Sequence, residues 1–177
     1  MFHSNTEQLL DYWRSLRGEL AAPRRRHFDP AAVAELLPQV FVLDIGQAAL
    51  PFRLAGEFLI DLHGRTLRGV DFQSLFVPAA RRIVAQASLS AIGELEPVVL
   101  QAEGVSEDGR TVSIEILLAP LLSMDGVPER LVGLYQPTTL VARLAGKPVV
   151  EMTARLGPET ARGHHLKLAA IDGLRIA

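Results

Sequence analysis

The sequence predicts an α+β fold, with one five-stranded antiparallel sheet, helices on one face of it and flanking helices at the N-terminus. Three observations lead there. Two apolar, β-branched segments lie close together at residues 40–45 and 51–55, so they read as a hairpin. A meander of three further strands comes at 97–136, with Asp108-Gly109 and Asp125-Gly126 as its turns. Between these two groups lie only short helical pieces and one longer helix. Strands joined by tight turns run antiparallel, and helices gathered in one stretch of chain cover one face of the sheet they make.

Ser4-Asn5-Thr6-Glu7 fits a capping box, with Ser4 as N-cap and Glu7 reaching back. Leu9, Trp13, Leu16 and Leu20 then recur at helical spacing, which predicts a helix from about Asn5 to Gly18. A basic connector, residues 21–28, comes next. Asp29-Pro30 opens a short second helix that Pro38 should end. After the first hairpin, residues 57–63 are long enough for two helical turns, and Gly64 is a good residue to close them. Asp71 can cap one more turn, and Pro78 starts the longest helix, which should run to Gly93. Its stripe of Ala80, Ile83, Val84, Ala87 and Ala91 is made of small residues suited to close packing on a flat surface. In the fourth strand, Val112, Ile114, Ile116 and Leu118 alternate with polar Thr111, Ser113 and Glu115. The expected organisation is an N-terminal helix and connector over 1–28, a core over 29–139 and a tail over 140–177 whose pattern decides nothing.

Composition narrows the function. A hydrophobic fraction of 49% with 21% charged residues suits a chain that folds around its own core. With no cysteine there are no disulfides, no thiolate metal sites and no cysteine nucleophile. The N-terminus lacks the basic and apolar regions of a signal peptide, and no apolar run approaches the ~20 residues of a membrane span. A cytoplasmic protein with no membrane partner is expected. Residues 28–139 carry 7 basic and 14 acidic side chains. Such an acidic core argues against nucleic acid as a partner, because that affinity comes mostly from neutralising phosphates.

Several segments taken together resemble the PAS fold. They are YWRSLRG (12–18), PRRRHFDP (23–30), LLPQVFVLDI (36–45), FRLAGEFLIDLHGRTLRGVDF (52–72) and the meander to Tyr135. The closer similarity is to short bacterial PAS proteins that begin with a helix bearing Tyr and Trp. The resemblance implies a signalling module that senses a ligand or binds a partner and usually does no chemistry. Its output would pass to a signalling protein in trans, such as a sensor kinase or regulator. The alternative is an enzyme that binds or converts a small molecule in the chamber between helices and sheet.

Both lines of reasoning point to candidate sites. The chamber is expected to be lined by Leu54, Leu59, Leu62, Leu67, Phe72, Leu75, Phe76, Ile83 and Val84, filled either by these side chains or by a small apolar ligand. No catalytic constellation is recognisable: there is no GxSxG, HExxH, P-loop or DxDxDG. Flavin and haem are not expected. Photoactive flavin-binding PAS domains use a cysteine, and haem-binding ones commonly take a histidine from the long helix, here 78–93, which has none. Adjacent His164 and His165 lack a partner cluster, so no metal site is expected. Arg24, Arg25 and Arg26 form a basic patch, open to a phosphate, an acidic partner or simple solvation. Arg26 and Asp29 also fit an RxxD pattern that some cyclic-dinucleotide sites use. The stripe of Leu9, Trp13, Leu16 and Leu20 must be covered, either by the back of its own sheet or by a second protomer. A homodimer with this helix in the interface is the expectation taken forward.

Overall fold

The computed structural model describes residues 1–156 of the 177. Helix α1 spans Ser4–Arg17, and a 3-10 turn (Arg25–His27) and a kinked 3-10 segment (Pro30–Gln39) lead into the sheet. Strands β1 (Val40–Asp44) and β2 (Phe52–Ala55) are followed by α2 (Glu57–His63), a 3-10 turn at Phe72–Leu75 and α3 (Pro78–Glu94). The meander is β3 (Val98–Ser106), β4 (Thr111–Leu122) and β5 (Pro128–Pro137). A sixth strand, β6 (Val149–Leu156), comes from the tail. The sheet order is β2-β1-β5-β4-β3-β6, with every neighbouring pair antiparallel.

The α+β architecture and the antiparallel sheet are as expected, but among the described residues the sheet has six strands, not five. Residues 149–156 alternate too weakly to be read as a strand alone. They become one by pairing with the free edge of β3, from Leu100↔Leu156 to Ser106↔Val149. Gly104 makes room for this, because a Cβ there would meet Val149 at 2.9 Å.

Local signals mostly acted as written. Asp29 accepts from the Ala31 N–H at 3.0 Å, and Gly64 closes α2 in the left-handed region at φ 61°. The capping box did not form: helix α1 begins one residue earlier, and the His3 ring nitrogen Nδ1 accepts from the Asn5 N–H at 3.2 Å. Helix α3 runs past Gly93 to Glu94, and Leu95 adopts the left-handed conformation that ends it.

The inner face of the sheet is covered throughout and the outer face for part of its length. The inner face packs on α2, α3 and the turn between them, through Phe41, Phe52, Phe72, Phe76 and Tyr135 with aliphatic neighbours. The outer face carries a second core, in which Leu9, Leu10 and Trp13 of α1 meet Val99, Leu117, Ala119, Leu121, Val132 and Leu134. Trp13 is fully buried, and its indole N–H donates to the Pro120 carbonyl at 2.8 Å. That carbonyl is free for a reason. Pairing of β3 with β4 ends at Val98↔Leu118, so Pro120 lies on a locally unpaired edge where proline is tolerated.

This corrects the expected place of the α1 stripe. Leu9 and Trp13 are covered by their own sheet, Leu16 is half-buried and Leu20 lies mostly in solvent. The polar face read from Thr111, Ser113 and Glu115 continues along β4 as Leu117, Ala119 and Leu121, an apolar floor that accepts the helix. The polar end anchors the helix start as well. Glu115 is buried, accepts from the His3 backbone N–H at 3.0 Å and from Gln101 at 3.1 Å, while Asn5 donates to Gln136 at 2.9 Å. The stripe therefore gives no reason for a second protomer.

Candidate functional site

The inner chamber is built where expected, with one exception. Leu59, Leu62, Leu67, Phe72, Leu75, Phe76 and Val84 are all buried in the inner core, and Ile83 packs against its margin. Leu54 is not in the chamber. It is 50% exposed on the opposite face of the sheet. The cause is a β-bulge: Val42 pairs with Leu54 but Leu43 pairs with Phe52, which leaves Arg53 without a partner. The irregularity turns Arg53 and Leu54 outward together, while Phe52 stays inside.

Three side chains that the sequence reading did not place complete the chamber. His63 ends α2 and is buried against Tyr135, ring to ring at 6.0 Å. Its Nδ1 lies 3.3 Å from the Val149 carbonyl. A carbonyl can only accept, so the proton sits on Nδ1, and Nε2 is buried without a partner. Burial, with a smaller contribution from nearby Arg65, lowers the pKa of His63 to about 4 against the raising effect of the Val149 bond. Tyr135 donates its hydroxyl to the Met152 sulfur at 3.3 Å, and burial pushes its pKa above the ordinary phenol range. Met152 and Val149 both come from β6, so the strand missing from the sequence reading closes the chamber. The Val77 N–H donates to the Met152 carbonyl at 2.9 Å and ties that strand to the start of α3.

The chamber is filled by its own rings. Phe41 stacks on Phe72 at 5.7 Å, meets Tyr135 edge-on at 5.6 Å and touches Phe52 at 5.6 Å, and Phe72 meets Phe76 at 5.3 Å. Gly133 lets Phe41 lie flat on the sheet, since a Cβ there would collide with its ring and with the Leu117 carbonyl. A flavin ring system would have to occupy the space these aromatic side chains fill, so these residues do not fit that group. For a haem, the Nδ1–H bond of His63 to Val149 is one that a ligating histidine could also make, and it is the rings packed around His63 that occupy the space of the group.

The basic patch lies on the other side of the sheet. Arg24, Arg25 and Arg26 edge a cleft of about 700 Å³ on the outer face, together with Arg53, Arg68 and Arg130. Asp29 does not line it; its carboxylate caps the segment after it, and its N–H donates to the Tyr12 hydroxyl at 2.9 Å. The RxxD pair of Arg26 and Asp29 therefore does not converge on one site. Among the described residues no group of three or more His, Asp or Glu is placed to hold a metal ion. His164 and His165 lie outside the described residues. No helix among those described is long and apolar enough to cross a membrane.

Comparison with known proteins agrees with the fold. A search of curated proteins gives no match. Among solved structures, a light-oxygen-voltage domain studied with a flavin analogue aligns at TM-score 0.52 and 15% identity. The alignment covers 65% of this chain and 87% of that one. The dark structure of the blue-light photoreceptor Aureochrome1 LOV aligns at TM-score 0.49 and 16% identity, over 65% and 86%. A PAS domain from Colwellia psychrerythraea aligns at 0.48 and 17%, over 60% and 93%. At these identities the likeness concerns the fold alone. A family model described as PAS domain matches residues 1–136, including α1 and the basic connector. The chain belongs to the PAS domain family.

Proposed function

We propose that this chain is a PAS-type sensory or adaptor module of bacterial signal transduction that works in the cytoplasm, does no chemistry and acts by contact with a signalling protein in trans. The packing of the inner chamber carries this reading. Phe41, Phe72, Tyr135 and Met152 occupy the space that a cofactor-dependent photosensor would need. This supports an output based on surface contact, with neither flavin nor haem as a cofactor. The same packing argues against the converting enzyme as the alternative. Tyr135 packs directly against His63, the one buried histidine among the described residues.

Two measurements test the reading. The purified protein is expected to be colourless, and the supernatant after denaturation to contain no flavin or haem by mass spectrometry. An absorbance band between about 350 and 500 nm that survives gel filtration would overturn that part. Purified protein added to the sensor kinases of its host should change the autophosphorylation rate of at least one. No change in any of them would overturn the in-trans part.

A further inference from the structure

The outer-face cleft has a chemistry that the proposed module does not use. Three wall segments form it: the connector over 24–30, the start of β5 with the β4–β5 turn, and the β2 bulge with the loop carrying Arg68. All three are pinned by backbone bonds. Leu122 N–H donates to the Pro23 carbonyl at 2.8 Å, which fixes the connector. Gly69 N–H donates to the Phe52 carbonyl at 2.8 Å and Phe52 N–H to the Val70 carbonyl at 2.9 Å, which fixes the Arg68 loop. The cations therefore project from held backbone rather than from free ends.

Their charges are largely uncompensated. Arg130 pairs with Asp44 at 2.7 Å and with Glu129 at 3.4 Å, and Arg25 reaches the same Glu129 at 3.5 Å. Arg24, Arg26, Arg53 and Arg68 have no carboxylate partner among the described residues. Glu129 is the only acidic side chain in the lining. This concentration of cations sits on a core whose residues 28–139 carry 7 basic against 14 acidic side chains. Between the cations lie apolar surfaces: Phe28, held at 5.4 Å from Tyr12, and the exposed Leu54 and Met124.

We infer that the cleft binds a nucleotide carrying at least two phosphates. Guanidinium groups take phosphate oxygens in paired hydrogen bonds, and four without a carboxylate partner, Arg26 among them with its Nε on the His27 ring at 3.1 Å, match the charge of two or three phosphates. The apolar walls suit a flat base. The volume lies within the range of small-ligand sites. An extended nucleic acid would also have to lie along a core with 7 basic against 14 acidic side chains over 28–139, so a compact ligand is favoured over a polymer.

The test is titration calorimetry of the full chain with ATP, GTP, cyclic di-GMP and inorganic pyrophosphate at physiological salt. At least one of the nucleotides should bind, and more tightly than pyrophosphate. The triple variant Arg24→Ala, Arg53→Ala, Arg68→Ala should weaken it at least tenfold with an unchanged circular dichroism spectrum. Leu54→Ser should weaken the nucleotide and leave pyrophosphate unaffected. The control Arg65→Ala, Arg82→Ala removes two exposed cations that do not line the cleft and should change binding less than twofold. The inference is overturned if no nucleotide binds at 1 mM or if the control weakens binding as much as the triple variant. It is also overturned if duplex DNA or a poly-glutamate peptide binds the cleft more tightly than every nucleotide. Should the triple variant misfold, single charge-retaining Arg→Lys changes at 24, 53 and 68 replace it; binding that none of them alters is equally decisive against the cleft.

Discussion

The two faces of one sheet are buried by different means. The inner face is aromatic, with Phe41, Phe52, Phe72, Phe76 and Tyr135 around the buried ring of His63. The outer face is mainly aliphatic, with Trp13 its one fully buried ring and Phe2, Tyr12 and Phe28 at its margin. The inner cover belongs to the succession of short helices between β2 and β3. The outer cover is α1 with the 3-10 segment Pro30–Gln39, which adds Val33 and Leu36, and it ends before the β2 edge. Beyond that end Val42 and Leu54 stay partly open, with arginines around them. An antiparallel sheet can leave one face to solvent; here the second face is closed for part of its length, and the charged cleft begins where the closure stops.

That contrast can be broken first at Trp13. Trp13→Ala removes the centre of the outer core and the indole bond to Pro120, and a loss of about 4 kcal/mol is expected from large-to-small changes of this kind. Chemical denaturation would show it as a shift in midpoint at unchanged slope. A mutant of near wild-type stability would mean that α1 is an accessory and the outer face is not a core.

The inner face is sharpened by acid. His63 is neutral when folded, with a pKa of about 4 against 6.5 in the unfolded chain. Below pH 6.5 the unfolded state binds a proton that the folded state refuses. Stability contributed by the neutral ring is present above pH 6.5, falls as the pH drops towards 4 and falls no further below that. The full loss corresponds to roughly 3 kcal/mol. His63→Phe should flatten the stability profile over this window, whereas variants of the outer core should leave its slope unchanged.

The smallest effect compares two leucines read as equivalent in the sequence. Leu59→Ala should cost about 2–4 kcal/mol, as a fully buried inner residue. Leu54→Ser should stay within about 0.5 kcal/mol, because its side chain is half in water. Equal losses would place Leu54 back inside the chamber.

These residues also show how far the sequence was readable. The hairpin, the meander and the chamber leucines were legible because alternation, glycine turns and apolar runs are local signals. The role of α1 was not. The polar start of β4 suggested a solvated face, and the floor for Trp13 lies further along the same strand at Leu117, Ala119 and Leu121. Strand β6 was hidden because its pairing partner lies some fifty residues away, at Leu100 to Ser106. Of the cleft, only the run Arg24–Arg26 could be seen. Arg53, Arg68 and Arg130 join it through tertiary structure, and no local pattern announces that.

A single unpaired residue in β2 interrupts the alternation of that strand. With Arg53 present, Leu54 faces out and Ala55 returns to the inner side opposite Phe41. Substituting Arg53 would change one side chain. Deleting it would leave Leu43↔Phe52, Val42↔Leu54 and Phe41↔Ala55 as a strictly alternating ladder, with Leu54 still on the cleft wall, and would remove one of the cleft's cations together with the local bend of the bulge. The inner chamber should therefore be indifferent to both the letter and the length at this position, and the outer cleft alone should register either change.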